Sequence, residues 1–283
     1  MSYPEEYAEI DGRIYLHTIL LLPQGQNPQL SNVVTTLAFQ VQYKLRSLIY
    51  HKERYLGIEN HIISEAIKEN KDKTRIPDEL FFEFEAFLFQ MKTTLDITVK
   101  VLEHLFPSTF KVTTFASKGS KLIKNLNEYR KKIEKQLGNK IEHKERLALA
   151  IQYRNETIDN IIHLLETDIA DWLGKAIDHR DTISHYKGSF NLREYSFRET
   201  NGELSVELPE ILDINPHLFL KQTYCNCLEF IQDFICLFIE LWLPPMFTLA
   251  KADESNPQLK AWIDQGSVAA KFVKFSLGMR EWV

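Results

Sequence analysis

Leu147, Ile151, Ile158, Ile162, Leu165, Ile169, Leu173 and Ile177 recur at intervals of three, four and one seven. Such spacing keeps one apolar stripe on a 3.6-residue helix and cannot be kept on one face of a strand. A helix this long must bury its stripe against partners of comparable length, which restricts the chain to a helical bundle. Gly174 is the one expected break in it.

Other stretches supply the partners. Leu37, Val41, Leu45, Leu48 and Ile49 mark a helix from Asn27 or Ser31 to about Asn70, with Gly57 either interrupting it or starting a second one. Lys68 to Lys73 reads as a polar loop. Pro77-Asp78-Glu79 opens the next helix with acidic residues in its first turn. Its stripe runs through Phe81, Phe84, Leu88, Met91, Leu95, Val99 and Leu102 to Pro107. Ser108 to Gly119 reads as a loop. Lys121 to Leu137 follows as a basic helix ended by Gly138-Asn139. Asn215-Pro216 starts the last long helix; Leu218 to Leu243 is apolar almost all round, as a central helix must be, and Pro244-Pro245 stops it.

Two places depart from helical chemistry. Asn201-Gly202 is a strong hairpin turn, with Leu204, Val206 and Leu208 alternating after it, so residues 189–208 read as an inserted β-hairpin. Asp11-Gly12, between Ile10 and Ile14, carries a second hairpin signal. The expected organisation is an N-terminal extension over 1–75 (a small hairpin plus a helix) packed on the bundle. A helical domain over 76–250 holds the inserted hairpin, and a tail over 251–283 forms one more short helix. The fold class is mainly α, an antiparallel helical bundle. There is no internal repeat.

In a chain of 283 residues with 44% hydrophobic residues and a net charge of −5, wholesale polyanion binding is not indicated. The charge is uneven, however. Between Lys111 and Arg146 eleven basic residues face four acidic ones, leaving the window at +7 and the remainder at −12. Lys121, Lys124, Arg130, Lys131 and Lys132 are therefore candidate RNA-backbone contacts, or else a solvated helix face. Aromatic residues are scarce among them, so base stacking is not indicated there.

Cys225, Cys227 and Cys236 share one apolar segment and read as buried thiols in a reducing compartment. The acidic N-terminus lacks the basic start of a signal peptide. Phe230 to Ala250 carries Asp233, Glu240 and two prolines, which suits a buried helix better than a membrane span. A cytoplasmic protein without a membrane segment is expected. His163, Glu166 and Asp168 resemble half of a helical metal site, but no second Glu-x-x-His pair completes it. No phosphate-binding glycine loop is present. No metal and no cofactor are expected.

The densest chemistry is His179-Arg180-Asp181-Thr182-Ile183-Ser184-His185-Tyr186, at the end of the long helix and just before Lys187-Gly188-Ser189. Imidazole moves protons near neutrality, and guanidinium offers a charged fork to a phosphate. Together they suit metal-free cleavage of an RNA phosphodiester. On a regular helix Arg180 and His185 point about 140° apart, whereas Asp181 and His185 share a face. Arg180 and His185 meet over one phosphate if the helix is irregular there, or if a two-fold dimer brings two copies together. Tyr186 is a further candidate phosphate donor. The alternative is a local polar cluster capping the helix C-terminus.

Arg180-Asp181-Thr182-Ile183-Ser184-His185 resembles the Arg-polar-x(3–5)-His signature of the HEPN superfamily, over about Asp78 to Leu243. The resemblance implies a four-helix bundle that dimerises and, in active members, a metal-independent endoribonuclease built from paired motifs. Arg180 and His185 would be its catalytic pair and Asp181 the accompanying polar residue. Many such proteins serve as toxins or in antiviral defence, often beside an antitoxin or a nucleotidyltransferase partner. Other members keep the fold as silent nucleotide-binding, RNA-binding or protein-interaction modules.

Overall fold

The computed structural model describes residues 4–22, 28–107, 109–110, 114–115, 119–184, 194–200, 203–207 and 214–281. The chain begins with α1 (Glu5–Ile10), a π-helical turn (Asp11–Leu16) and α2 (His17–Leu21). Next come α3 (Pro28–Lys68), β1 (Lys73–Arg75) and α4 (Asp78–Leu105). Two short helices follow, α5 (Ser120–Arg130) and α6 (Ile133–Gly138). After them α7 (Lys144–Asp168) passes through a π turn (Ile169–Leu173) into α8 (Gly174–Ser184). The remainder is β2 (Glu194–Thr200), β3 (Glu203–Glu207), α9 (Pro216–Trp242), β4 (Phe247–Lys251), α10 (Pro257–Asp264) and β5 (Phe275–Met279).

Four long rods form the bundle: α3, α4, α7 with α8, and α9. The first two run antiparallel, with Lys44 donating to Gln90 at 3.2 Å and His51 beside Glu83 at 2.7 Å. Helix α9 is the central rod. Phe230, Phe234 and Phe238 are buried along it and meet Phe106, Phe110, Phe115 and Trp172 ring to ring. Its ends are chemically defined. Asn215 Oδ1 accepts from the Leu218 N–H at 3.1 Å, with Pro216 in the first turn. At the other end the buried Arg154 guanidinium donates to the carbonyls of Glu240, Leu241 and Leu243. It supplies partners that the helix itself cannot.

The expected break near Gly174 is a π turn ending immediately before it. A Cβ on Gly174 would lie 2.6 Å from the Ile169 carbonyl oxygen. The rod stays helical and gains one residue in that turn. Helix α3 is uninterrupted at Gly57, which faces open space. The expected single basic helix is instead two, parted at Lys131-Lys132, with Ile133 buried at the start of the second.

The inserted hairpin is present. β2 and β3 pair antiparallel with Thr200 opposite Glu203, leaving two residues between the strands. β1, which begins at the last residue of the expected Lys68–Lys73 loop, adds to β2 as a third strand with Thr74 opposite Tyr195.

The N-terminal hairpin expected at Ile10–Ile14 is not formed: residues 5–21 are helical throughout. Gly12 serves close packing rather than a turn. A Cβ there would sit 2.1 Å from the Ala269 carbonyl oxygen. Asp11 is held by Arg46 at 2.6 Å and by Gln42, and Ile10 and Ile14, one turn apart, enter the main core.

The tail is more than the single helix expected. β4 and β5 pair antiparallel, with Leu249 opposite Leu277, and α10 lies between them in sequence. A small second core of Leu20, Leu259, Ala270 and Val273 fastens this unit to α2. No described helix is long and apolar enough to cross a membrane.

Candidate functional site

The segment that carries Arg180 closes the third rod. Ala176, Ile177 and Ile183 are buried and fix the rotation of α8. That rotation sets the Arg180 guanidinium over the ring of Phe89 on α4, 4.9 Å from its centroid, a cation–π contact. Arg180 Nη1 donates to Asp181 Oδ1 at 2.8 Å, and the buried Nε has no hydrogen-bond partner among the described residues. The arginine side chain remains 28% exposed, so a ligand can reach part of it. Thr182 Oγ1 donates back to the Asp178 carbonyl at 2.8 Å.

The His179 ring stands edge-on to Phe219 of α9, at 5.7 Å. Burial there lowers its pKa and favours the neutral ring. His185 and Tyr186 lie outside the described residues. The i,i+4 pairing expected between Asp181 and His185 therefore falls outside the described residues; Asp181 Oδ1 accepts from its neighbour Arg180.

The basic segment is placed elsewhere. Lys121, Lys124, Lys131 and Lys132 are exposed. Arg130 is ion-paired with Asp159 of α7. Gly119 lies against Leu165 and Ile169, so α5 runs back along α7, away from Arg180. From Asp159 to Arg180 the rod rises about 30 Å. The structure does not bring Arg130, Lys131 and Lys132 together with Arg180. Of the three residues resembling half of a metal site, His163 and Asp168 line a cavity and Glu166 does not. Among the described residues no group of three His, Cys, Asp or Glu is arranged to hold a metal ion.

One constellation was not anticipated. Glu59, 1% exposed, sits inside the bundle between α3, α9 and β2. Its Oε1 accepts from the Tyr195 hydroxyl at 3.3 Å, and its Oε2 is 2.5 Å from His217 Nδ1. His217 Nε2 is 2.9 Å from Lys221 Nζ. An ammonium only donates, so Nε2 accepts and Nδ1–H donates to Glu59. Burial pushes the hydroxyl pKa values of Tyr55 and Tyr195 up, keeping both neutral. His217 lies two residues before Phe219, which touches His179, so this network and the end of α8 occupy the same end of the bundle. A signal existed in the sequence: Glu59 falls in the buried register of Leu45, Leu48, Tyr55, Leu56 and Ala66, where a lone carboxylate requires partners.

Arg180 offers a positioned cation, Asp181 a carboxylate beside it, and His217 an imidazole held in one tautomer. These are the parts of phosphate binding and proton transfer. No protein-family model, no curated protein and no solved structure matches this chain.

Proposed function

We propose that the chain is a metal-independent endoribonuclease of HEPN type, acting as a homodimer, in which Arg180 and His185 are the catalytic pair and Asp181 steadies them. The observation that carries this reading is the setting of Arg180. It stands at the end of the third long rod of a helical bundle, partly exposed and oriented by Phe89 and Asp181. A guanidinium so held stabilises charge building on a phosphate without having to reorganise. Phe82 lies two turns before Phe89 on the same face of α4 and is 64% exposed. It offers a ring on which an unpaired base can stack. The dimer follows from helix geometry, since Arg180 and His185 diverge on one regular helix and a second copy supplies the missing half. A toxin or antiviral-defence role, with an antitoxin or nucleotidyltransferase partner, belongs to the same proposal.

The test is cleavage of single-stranded RNA by the purified protein in EDTA. Arg180→Ala and His185→Ala should each abolish it while circular dichroism stays unchanged. Undiminished cleavage in both variants would overturn the assignment.

A second reading is a catalytically silent RNA-binding or protein-interaction module. It is favoured by the engagement of Arg180 with Asp181 and Phe89, and by the distance of the basic helix from it. That reading expects RNA or partner binding with no turnover.

A further inference from the structure

Between α7, α9 and the β4–β5 hairpin lies a cavity of about 500 Å³. A second, of about 300 Å³, adjoins it beside the π turn. The two share Leu164, Asp168 and Asp233. A volume in this range suits a small organic molecule. The junction is acidic. Among the described residues Asp168 accepts from the Trp172 indole N–H, and Asp233 from the Gln232 amide at 2.9 Å. Each carboxyl has its pKa raised by burial, and neighbouring carboxylates add to the effect. The cations nearby are already engaged: Arg280 with Glu240 at 2.5 Å, and Lys274 with Glu229 at 3.5 Å. Cys236, 1% exposed, also lines the larger cavity, and its thiol has no hydrogen-bond partner among the described residues. Leu237 of α9, with Leu249 and Phe275 of the β4–β5 hairpin, gives the cavity an apolar part.

We infer that this cavity is a binding site for a small organic cation, a primary amine with an apolar body. Its ammonium donates to both Asp168 and Asp233 and removes their mutual repulsion. Its apolar part lies against Leu249 and Phe275. A bare divalent cation fits less well, because it has no use for the apolar part and finds no group of three ligands among the described residues. Asp171 and Trp172 of the π turn line the smaller, adjoining cavity. The inference is independent of the reading of Arg180.

The experiment is calorimetric titration of the full chain at pH 7.5 with phenethylamine, phenethyl alcohol and magnesium chloride in turn. Saturable one-to-one binding of the amine is expected, with the alcohol and magnesium at least about tenfold weaker, the loss of one charge-assisted contact. Asp168→Asn and Asp233→Asn should each weaken the amine by a similar factor. Glu166→Gln, two residues from Asp168 but outside the cavity, should leave it unchanged. Leu249→Trp, which fills the apolar side while sparing both carboxylates, should abolish binding and so covers the case in which an Asn variant misfolds. No saturation by about 10 mM amine, equal binding of the alcohol, or magnesium binding as tightly as the amine would each overturn the site.

Discussion

The Arg180 guanidinium sits 4.9 Å from the centre of the Phe89 ring, so the last turns of the third rod are oriented by a side chain of the second. A contact of this kind contributes about 1–2 kcal/mol where partly desolvated. On the proposed ribonuclease reading, Phe89→Ala is therefore expected to lower EDTA-resistant RNA cleavage about tenfold through kcat, with KM little changed. Phe89→Tyr should restore it. Equal activity in Phe89→Ala and the parent protein would show that the ring does not position Arg180.

His17 makes the fold sensitive to acid. The ring is buried, and its Nε2 accepts from the Phe275 backbone N–H at 2.6 Å while Nδ1 faces the Arg13 carbonyl at 3.2 Å. Burial lowers its pKa to about 4, against 6.5 when unfolded. The folded state thus binds the proton less readily than the unfolded state. The stability associated with a neutral ring is fully present above pH 6.5, is lost as pH falls from 6.5 toward 4, and reaches a floor below that. The span corresponds to about 3 kcal/mol. Denaturant unfolding at pH 7 and pH 4.5 measures it. His17→Gln should flatten the dependence over this window.

Arg154→Met should destabilise the fold by about 3 kcal/mol or more. It removes the donors that satisfy three carbonyls at the end of α9. Arg154→Lys should recover only part of the loss, because an ammonium cannot span the same fork. Chemical denaturation of the three proteins is the measurement.

Gly12→Ala tests the contact between the two ends of the chain. The new methyl would lie 2.1 Å from the Ala269 carbonyl oxygen, a backbone atom that cannot swing aside. A cost of about 1–3 kcal/mol and a Tm lower by several degrees are expected. Gly57→Ala, in open space on α3, should instead be neutral or stabilising.

The four rods were legible because helical periodicity and terminators are local. Pro77, Asn215-Pro216 and Pro244-Pro245 stand at the observed ends of α4 and α9, and Asn201-Gly202 announced the β2–β3 hairpin. Asp11-Gly12 misled for the same reason. The turn preference of that pair is weaker than burying Ile10 and Ile14 on one helical face in the main core while Gly12 packs against a tail more than 250 residues away. β1 and the β4–β5 sheet escaped notice because short strands are defined by partners remote in sequence.

For the site, the sequence by itself determined that Arg180 and Asp181 close a long core helix, since adjacency and periodicity are properties of the chain. Tertiary structure alone decided what they face. Phe89 under Arg180, Phe219 against His179, and Glu59 joined to His217 across 158 residues all depend on how the rods pack. The cavity walled by α7, α9 and β4–β5 depends on it too. The physical reason is that desolvation and Coulomb forces act through space, so the chemistry of a buried group is set by neighbours that its own segment does not encode.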